Sequence, residues 1–491
     1  RDSGKIAPST VLQFALIVGA RSTSGPVQVV IVLIFVPMLM SSSSTDTSTV
    51  ILGFGLLFGS LFCLGTWPAF LRLASVRHNN DENICRCWFP RHPRDARFVY
   101  LDYAVSYVLS SLLCLGVVAA LTNHDRENSS DNATNNATTT SSSFLKSWPL
   151  SLSAMAGGVL LSAGNLSLQW ATTVFEAPLT TVVAIQASLC VTLGTSINYL
   201  LEPSRTSHPQ WLWTAVVVFW TAIAAASQAH LVYGRLQTVR RLESRVSDID
   251  GYSDNENNER YVMASSPAGI ELRQARAERS ISYNSLETMD RDNHPEAWND
   301  EKESTIPHTR IASSTSSWSA SQKALLLAIG GGCCFGFFSP AFNIAVNDPF
   351  GWAPNSSALS VPVANVWFSV AFTVASILGT LRLMHHPPPG SDMAVTSWNE
   401  YIRTPMSTKW GIWAGFLCGL ANLLQFQGGR LVGFATGDLV QAYPIVSTMW
   451  DIFLFGEYCS HGNLQVTAYL VTMYVLYMTA IACMIWSAAG V

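Results

Sequence analysis

Residues 324–346 read ALLLAIGGGCCFGFFSPAFNIAV, an apolar run with no charged residue and a proline, Pro340, well inside it. A helix needs roughly 20 mostly apolar residues to cross the hydrocarbon core of a bilayer. In water such a run would have to be buried all round, whereas in lipid it is at home. The pattern Phe338-Ser339-Pro340-Ala341-Phe342 also has an echo, Thr66-Trp67-Pro68-Ala69-Phe70, inside another apolar run. The stretch therefore carries two predictions: a membrane protein, and one built from a duplicated unit.

Outward from it, ten runs are long enough to span: 51–72, 100–121, 149–171, 178–201, 210–233, 323–346, 360–384, 410–428, 434–455 and 465–488. Composition agrees. Charged residues make up 12% of the 491, about half the roughly 25% of a soluble domain. A net charge of −4 and the absence of a basic stripe argue against a nucleic-acid partner. A shorter run at 27–40 resembles the h-region of a signal peptide, so residues 1–45 are set apart as an N-terminal segment, with the true start expected to lie upstream of Arg1.

Loop charges give the orientation. Arg77, Arg86, Arg91, Arg94 and Arg97 follow the first span; Arg403 and Lys409 follow the seventh; Arg240, Arg241, Arg245, Arg273, Arg276 and Arg279 lie between the fifth and sixth. These loops are expected in the cytosol. The alternate loops carry the glycosylation sequons of Asn128, Asn132, Asn136 and Asn355, which belong outside the cell. The segment 234–321 is polar, charged and too poor in apolar residues for a core, and is read as a disordered cytosolic loop. The chain thus divides into a first five-helix repeat, 46–233, and a second, 322–491.

The repeat extends beyond the prolines. Gly164-Asn165-Leu166 in the third span matches Ala421-Asn422-Leu423 in the eighth, and Gln186-Ala187 with Glu202 matches Gln441-Ala442 with Glu457 at the same separation. An odd number of spans per unit forces the second copy to insert upside down, as in carriers with a midplane cavity. The fold class is therefore all-α and polytopic, a 5+5 inverted repeat.

Seven amides fall inside spans: Asn165, Gln169, Gln186, Asn343, Asn422, Gln425 and Gln441. Amides both donate and accept, which suits a neutral solute with alternating N–H and C=O groups, and equally suits gluing helices together. Recurrence in both halves favours the cavity for Asn165/Asn422 and Gln186/Gln441. Pro68 and Pro340 each remove a helical hydrogen bond, giving either a hinge or a static bend. Asp438 and Asp451 are in-span carboxyls and candidates for taking up and releasing a proton; Arg430 is a possible partner for Asp438.

No nucleophile elbow, phosphate-binding loop or H-E-x-x-H occurs, so no enzyme is expected. Cys85 and Cys87 form a lone C-x-C, which cannot complete a tetrahedral site, and His385-His386 reads as linker. Neither metal nor cofactor is expected.

Several ordered segments carry a resemblance: Gly65-Thr66-Trp67-Pro68-Ala69, Tyr100-Leu101-Asp102-Tyr103, Met155-Ala156-Gly157-Gly158, Gly164-Asn165-Leu166-Ser167, Ser339-Pro340-Ala341-Phe342-Asn343, and the run from Asp438 through Gln441, Pro444 and Trp450 to Glu457 and Tyr458. Together they resemble the ureide permease family of plants, across all ten spans and the long central loop. The resemblance implies a fold like the drug/metabolite transporters, at the plasma membrane. It also implies proton-coupled import of allantoin, uracil or related oxo derivatives of nitrogen heterocycles. Where the family has a glutamate early in the fourth span, this chain has Thr180 and Thr181; Arg430 replaces a glutamine and Asp451 a small residue. The alternatives are a carrier of the same fold for another solute, such as a sugar, and a membrane receptor or scaffold acting through its central loop.

Overall fold

Apolar runs become helices because only a helix satisfies all of its own backbone groups in lipid. In the computed structural model the described residues are 15–21, 28–34, 45–75, 95–128, 148–175, 179–250, 320–353, 358–387, 395–403, 409–455, 458 and 464–488. Helices α1 (Thr45–Ser75), α2 (Ala96–Asn128), α3 (Trp148–Thr173), α4 (Leu179–Leu201) and α5 (Pro209–Asp250) form the first repeat. The second has α6 (Ala320–Asn347), α7 (Val361–His385), α8 (Lys409–Val432), α9 (Pro444–Phe455) and α10 (Leu464–Ala488).

Among the described residues, eight helices are long and apolar enough to cross a membrane: α1 to α7 and α10. The two remaining predicted spans differ for physical reasons. Helix α8 is about 36 Å long at 1.5 Å per residue, sufficient to cross, but Asn422, Gln425, Gln427 and Arg430 lower its hydropathy. The ninth predicted span, 434–455, is no single helix. It is a short turn, Phe434–Gly437, then a 3₁₀ segment, Asp438–Ala442, and only then α9. Pro444 has no N–H to give the preceding turn, so the regular ladder begins there. Gly433, at φ 99°, makes the reversal out of α8, a backbone conformation glycine adopts freely.

Two further segments take on definite structure. Within 27–40, read as a signal-type run, residues Gln28–Ile34 form a strand (β2) pairing antiparallel with Ala15–Arg21 (β1), Ala15 opposite Ile34 and Arg21 opposite Gln28. Val29, Val30, Ile31 and Val32 are β-branched and favour the extended chain. Helix α5 runs on past 234, the start of the predicted loop, to Asp250. Leu, Gln, Arg and Glu, all good helix formers, dominate that stretch; residues 251–319 lie outside those described.

The packing partners reveal the symmetry of the duplication. Helix α1 packs along α8 and α6 along α3; α2 packs on α8 and α7 on α3; α1 meets α9 and α6 meets α4; α2 meets α7. Adding five to each helix of the first repeat and subtracting five from each of the second maps this contact set onto itself. The repeats are interlocked rather than side by side.

Small residues hold two of these seams tight, as expected without a hydrophobic drive between helices. A Cβ at Gly158 of α3 would lie 2.0 Å from the Phe368 carbonyl oxygen of α7, and one at Gly415 of α8 would lie 2.1 Å from the Tyr103 carbonyl oxygen of α2. Tyr103, Tyr107, Phe342, Phe368, Phe372 and Phe426 fill the centre, Phe342 and Phe426 stacking at 3.6 Å. Large apolar residues such as Leu113, Leu200, Val217 and Leu378 face outward, which suits lipid rather than water. Exposed tryptophans mark the helix ends: Trp148, Trp211, Trp213 and Trp486 at one, Trp398 and Trp413 at the other.

Asp95 starts α2 by accepting the Arg97 backbone N–H at 2.9 Å, and it pairs with the Arg97 guanidinium at 2.6 Å. Burial pushes its carboxyl upward, but those bonds and the Arg97 charge outweigh it and hold the group below the usual carboxylate range.

Candidate substrate pocket

Five of the seven amides singled out by sequence converge on one cavity. Asn165 comes from α3, Gln186 from α4, Asn422 and Gln425 from α8, and Gln441 from the 3₁₀ break before α9. The cavity has a volume of about 70 Å³ and is partly open at its mouth. Trp67, Phe335, Phe338 and Tyr443 supply flat apolar walls, the combination of apolar surface and few polar groups that small-molecule sites use.

The repeat explains why these residues meet. Asn165 and Asn422 occupy equivalent positions, as do Gln186 and Gln441, so each pair faces the pocket from opposite sides of the pseudo-twofold. Leu161 and Cys418 are a third equivalent pair on the wall. Asymmetry enters at two places. Opposite Gln425 the first repeat has Leu168, which also lines the pocket. Opposite Asp438 it has Val183, another lining residue.

The amides differ in how they are occupied. Asn422 donates from Nδ2 to the Tyr107 hydroxyl at 2.8 Å, and Gln186 donates from Nε2 to Ser167 Oγ at 3.1 Å. These bonds fix the two rotamers. Gln425 is buried, and among the described residues neither its Nε2 nor its Oε1 has a partner. Leaving one buried polar atom unsatisfied costs about 1–3 kcal/mol. Gln425 lines the cavity, so both ends of its amide are free to meet a donor and an acceptor there.

Asp438 lies beside the pocket, three residues before Gln441, and is buried. Its Oδ2 accepts from Thr195 Oγ1 and Asn198 Nδ2, both of α4 and both at 3.3 Å. The predicted Arg430 pairing does not occur: Arg430 is exposed, and the partners of Asp438 are neutral groups, Thr195 and Asn198 of α4 and Ser339 of α6. Asp451 sits at the other end of α9, where it pairs with Arg72 of α1 at 2.9 Å. The same guanidinium lies 4.2 Å from the centre of the Phe455 ring.

Two predicted amides lie elsewhere. Gln169 follows Leu168 on α3 but is not on the pocket wall. Asn343 of α6 belongs to a chain of amides: its Nδ2 donates to Asn198 Oδ1 at 3.1 Å, and its Oδ1 accepts from Asn347 Nδ2 at 2.8 Å. Asn347 also donates to Glu202, just past α4. Burial pushes the Glu202 carboxyl above its usual range, against the Arg205 charge and bonds from the Phe434 N–H and Asn347.

Sequence reading missed Asn198, Thr195 and Tyr107. Asn198 was visible as another in-span amide; its repeat equivalent is Phe453, so the duplication gave no cue. Pro68 lies inside α1, one turn beyond the lining residue Leu64, and Pro340 lies inside α6, two residues beyond the lining residue Phe338. Asn132, Asn136 and Asn355 lie outside the described residues, and Asn128 ends α2. No cluster of His, Cys, Asp and Glu able to hold a metal occurs among the described residues.

Two interlocked repeats around an amide-lined pocket, with one helix broken beside it, define a multi-pass membrane carrier. Residues 99–487 match the Ureide permease family, and the chain belongs to that family. It is 30% identical over 436 residues to Ureide permease 4 of Arabidopsis thaliana, covering 87% of this chain and 95% of that protein. Ureide permease 1 of the same plant is 29% identical over 432 residues, 86% of this chain and 93% of its own length. Probable ureide permease A3 of Vigna unguiculata is 29% identical over 403 residues, 82% and 94% respectively. These relatives are permeases, so the chain's work is transport rather than catalysis. No solved structure matches.

Proposed function

We propose that this protein imports allantoin, uracil or related oxo derivatives of nitrogen heterocycles across the plasma membrane, driven by protons. The observation that carries this reading is Gln425, whose buried amide offers one open donor and one open acceptor to the pocket. Such solutes present alternating N–H and C=O edges, which complement a carboxamide. Asn165, Gln186, Asn422 and Gln441 surround the guest, and the aromatic walls stack on its ring. The relatives named ureide permeases support the solute class. Lys and Arg are missing from the described lining, which counts against an anionic solute such as a nucleotide-sugar.

Asp438 is the proton site. Its break in the helix places a carboxyl against neutral donors beside the solute, so its charge can change with the solute's occupancy. Arg72 and Asp451 close the cytosolic end, Pro68 and Pro340 act as hinges, and Asn128, Asn132, Asn136 and Asn355 carry glycans on the outer face. Uptake of labelled allantoin and uracil into oocytes, at acidic and at mildly alkaline pH, tests the assignment. Uptake that rises with acidity is expected. Surface-confirmed protein that takes up neither solute overturns it.

A further inference from the structure

The bonds around Asp438 run in one direction. Asn347 Nδ2 donates to Asn343 Oδ1 at 2.8 Å, Asn343 Nδ2 donates to Asn198 Oδ1 at 3.1 Å, and Asn198 Nδ2 donates to Asp438 Oδ2 at 3.3 Å. Asn198 also donates to Ser339 Oγ at 3.1 Å. Asn343 and Asn198 therefore turn their carbonyls toward Asn347 and their N–H groups toward Asp438, while Asn347, at the head of the ladder, donates both to Asn343 and to Glu202. Aligned dipoles of this kind reinforce one another and favour negative charge at the donor end. Asn198, Asn343 and Ser339 are all buried, so water does not compete for these bonds.

The ladder also crosses helices. Asn198 belongs to α4, Ser339, Asn343 and Asn347 to α6, and Asp438 to the break before α9. The contact of α6 with α4 is the repeat equivalent of that between α1 and α9, where Arg72 pairs with Asp451. A charge-assisted bond is roughly twice as strong as a neutral one. Neutralising Asp438 thus weakens the tie among three elements at once.

We propose that Asn198 is a positioning residue that holds the Asp438 carboxylate and transmits its charge state to the α4–α6 contact. This inference rests on the reading of Asp438 as the proton site. From the elements packed against 438–442, the titratable groups among the described side chains are Cys63 and Arg72 of α1, Cys190 and Tyr199 of α4, Lys409, Cys418 and Arg430 of α8, Tyr443, and Tyr469, Tyr474, Tyr477 and Cys483 of α10. Thiols and phenols are uncharged at neutral pH, Arg72 pairs with Asp451, and Lys409 and Arg430 are exposed. Glu202, with Arg205, stands at the far end of the ladder. Asn198 is thus the one amide to which both Asp438 and the ladder are bonded.

The test is the pH profile of allantoin uptake in oocytes, with surface protein measured by biotinylation, for wild type, Asn198→Ala, Asn198→Gln and Asn343→Ala. Asn198→Ala should move the half-maximal pH upward by about one unit, a tenfold change in proton concentration, and leave the KM for allantoin at saturating acidity unchanged. Asn343→Ala, one link further off, should shift it the same way by less, and Asn198→Gln should restore part of the wild-type profile. If Asn198→Ala does not reach the surface, Asn343→Ala decides. An unshifted profile in a surface-expressed variant, beside a pH-dependent wild type, overturns the role of the ladder alone. A wild type that transports allantoin equally at every pH removes the proton site itself, and the inference with it.

Discussion

Helix α4 and its repeat equivalent, the segment 434–455, began as copies and have diverged in a telling way. The first runs unbroken from Leu179 to Leu201. The second breaks into a turn, a 3₁₀ segment and a 12-residue helix. Both bring a glutamine to the same pocket, Gln186 and Gln441. Yet where the intact helix presents Val183, the broken one has Asp438, and where α3 presents Leu168, α8 has Gln425. The shared frame builds the cavity; the differences supply its chemistry. Irregular backbone at membrane depth is tolerated only where it is buried or lines a cavity, and here it does both.

The comparison can be broken by making the second copy resemble the first. Asp438→Val, which imposes the residue of the intact helix, should abolish the acid stimulation of uptake, a loss on the order of 100-fold at acidic pH. That is the scale general acid–base groups command, and labelled uptake normalised to surface protein reads it. Gln425→Leu, which imposes Leu168, removes the open amide. The KM for allantoin should then rise about tenfold or more, the equivalent of about 1–3 kcal/mol for a lost buried partner. A KM unchanged in this variant would separate Gln425 from solute recognition.

The two glycine seams sharpen the comparison instead. Gly158→Ala at the α3–α7 seam and Gly415→Ala at the α2–α8 seam disturb equivalent contacts. Each should destabilise by about 1–3 kcal/mol through overpacking, read as a lower unfolding temperature in detergent. A large effect at one seam and none at the other would mean the repeats share topology without sharing mechanics. The smallest effect belongs to Asp95. Asp95→Ala removes the α2 cap and should cost about 1 kcal/mol. Because the Asp95 carboxyl is held below its unfolded value, this stability is present at neutral pH and is lost as the pH falls through the folded value. Wild type and Asp95→Ala should therefore converge in thermal stability only in strong acid.

Much of the frame was legible in the sequence because it rests on long-range averages. Ten apolar runs, a twofold echo around Pro68 and Pro340, and amides recurring at Asn165/Asn422 and Gln186/Gln441 each follow from composition and period. The helix break was hidden. The run 434–455 is apolar enough to pass as a span, and Pro444 alone does not say whether a helix kinks or stops. Partnerships were less accessible still. Arg430 and Asp438 are near in sequence and opposite in charge, yet Asp438 bonds instead to Thr195 and Asn198, over 200 residues away along the chain. Gln169 and Asn343 looked like their neighbours, but the helical rotation of α3 and α6 keeps them off the pocket wall.

The tryptophans at the helix ends bear on where this carrier can work. Indole rings settle at the headgroup level, so Trp148, Trp211 and Trp486 at one rim and Trp398 and Trp413 at the other fix how deep the bundle floats. Thinner or thicker lipid would have to deform around those anchors, at fractions of a kcal/mol per ångström of mismatch. Turnover in proteoliposomes should accordingly peak at one acyl-chain length and fall away on either side, making the bilayer itself a setting that the protein is tuned to.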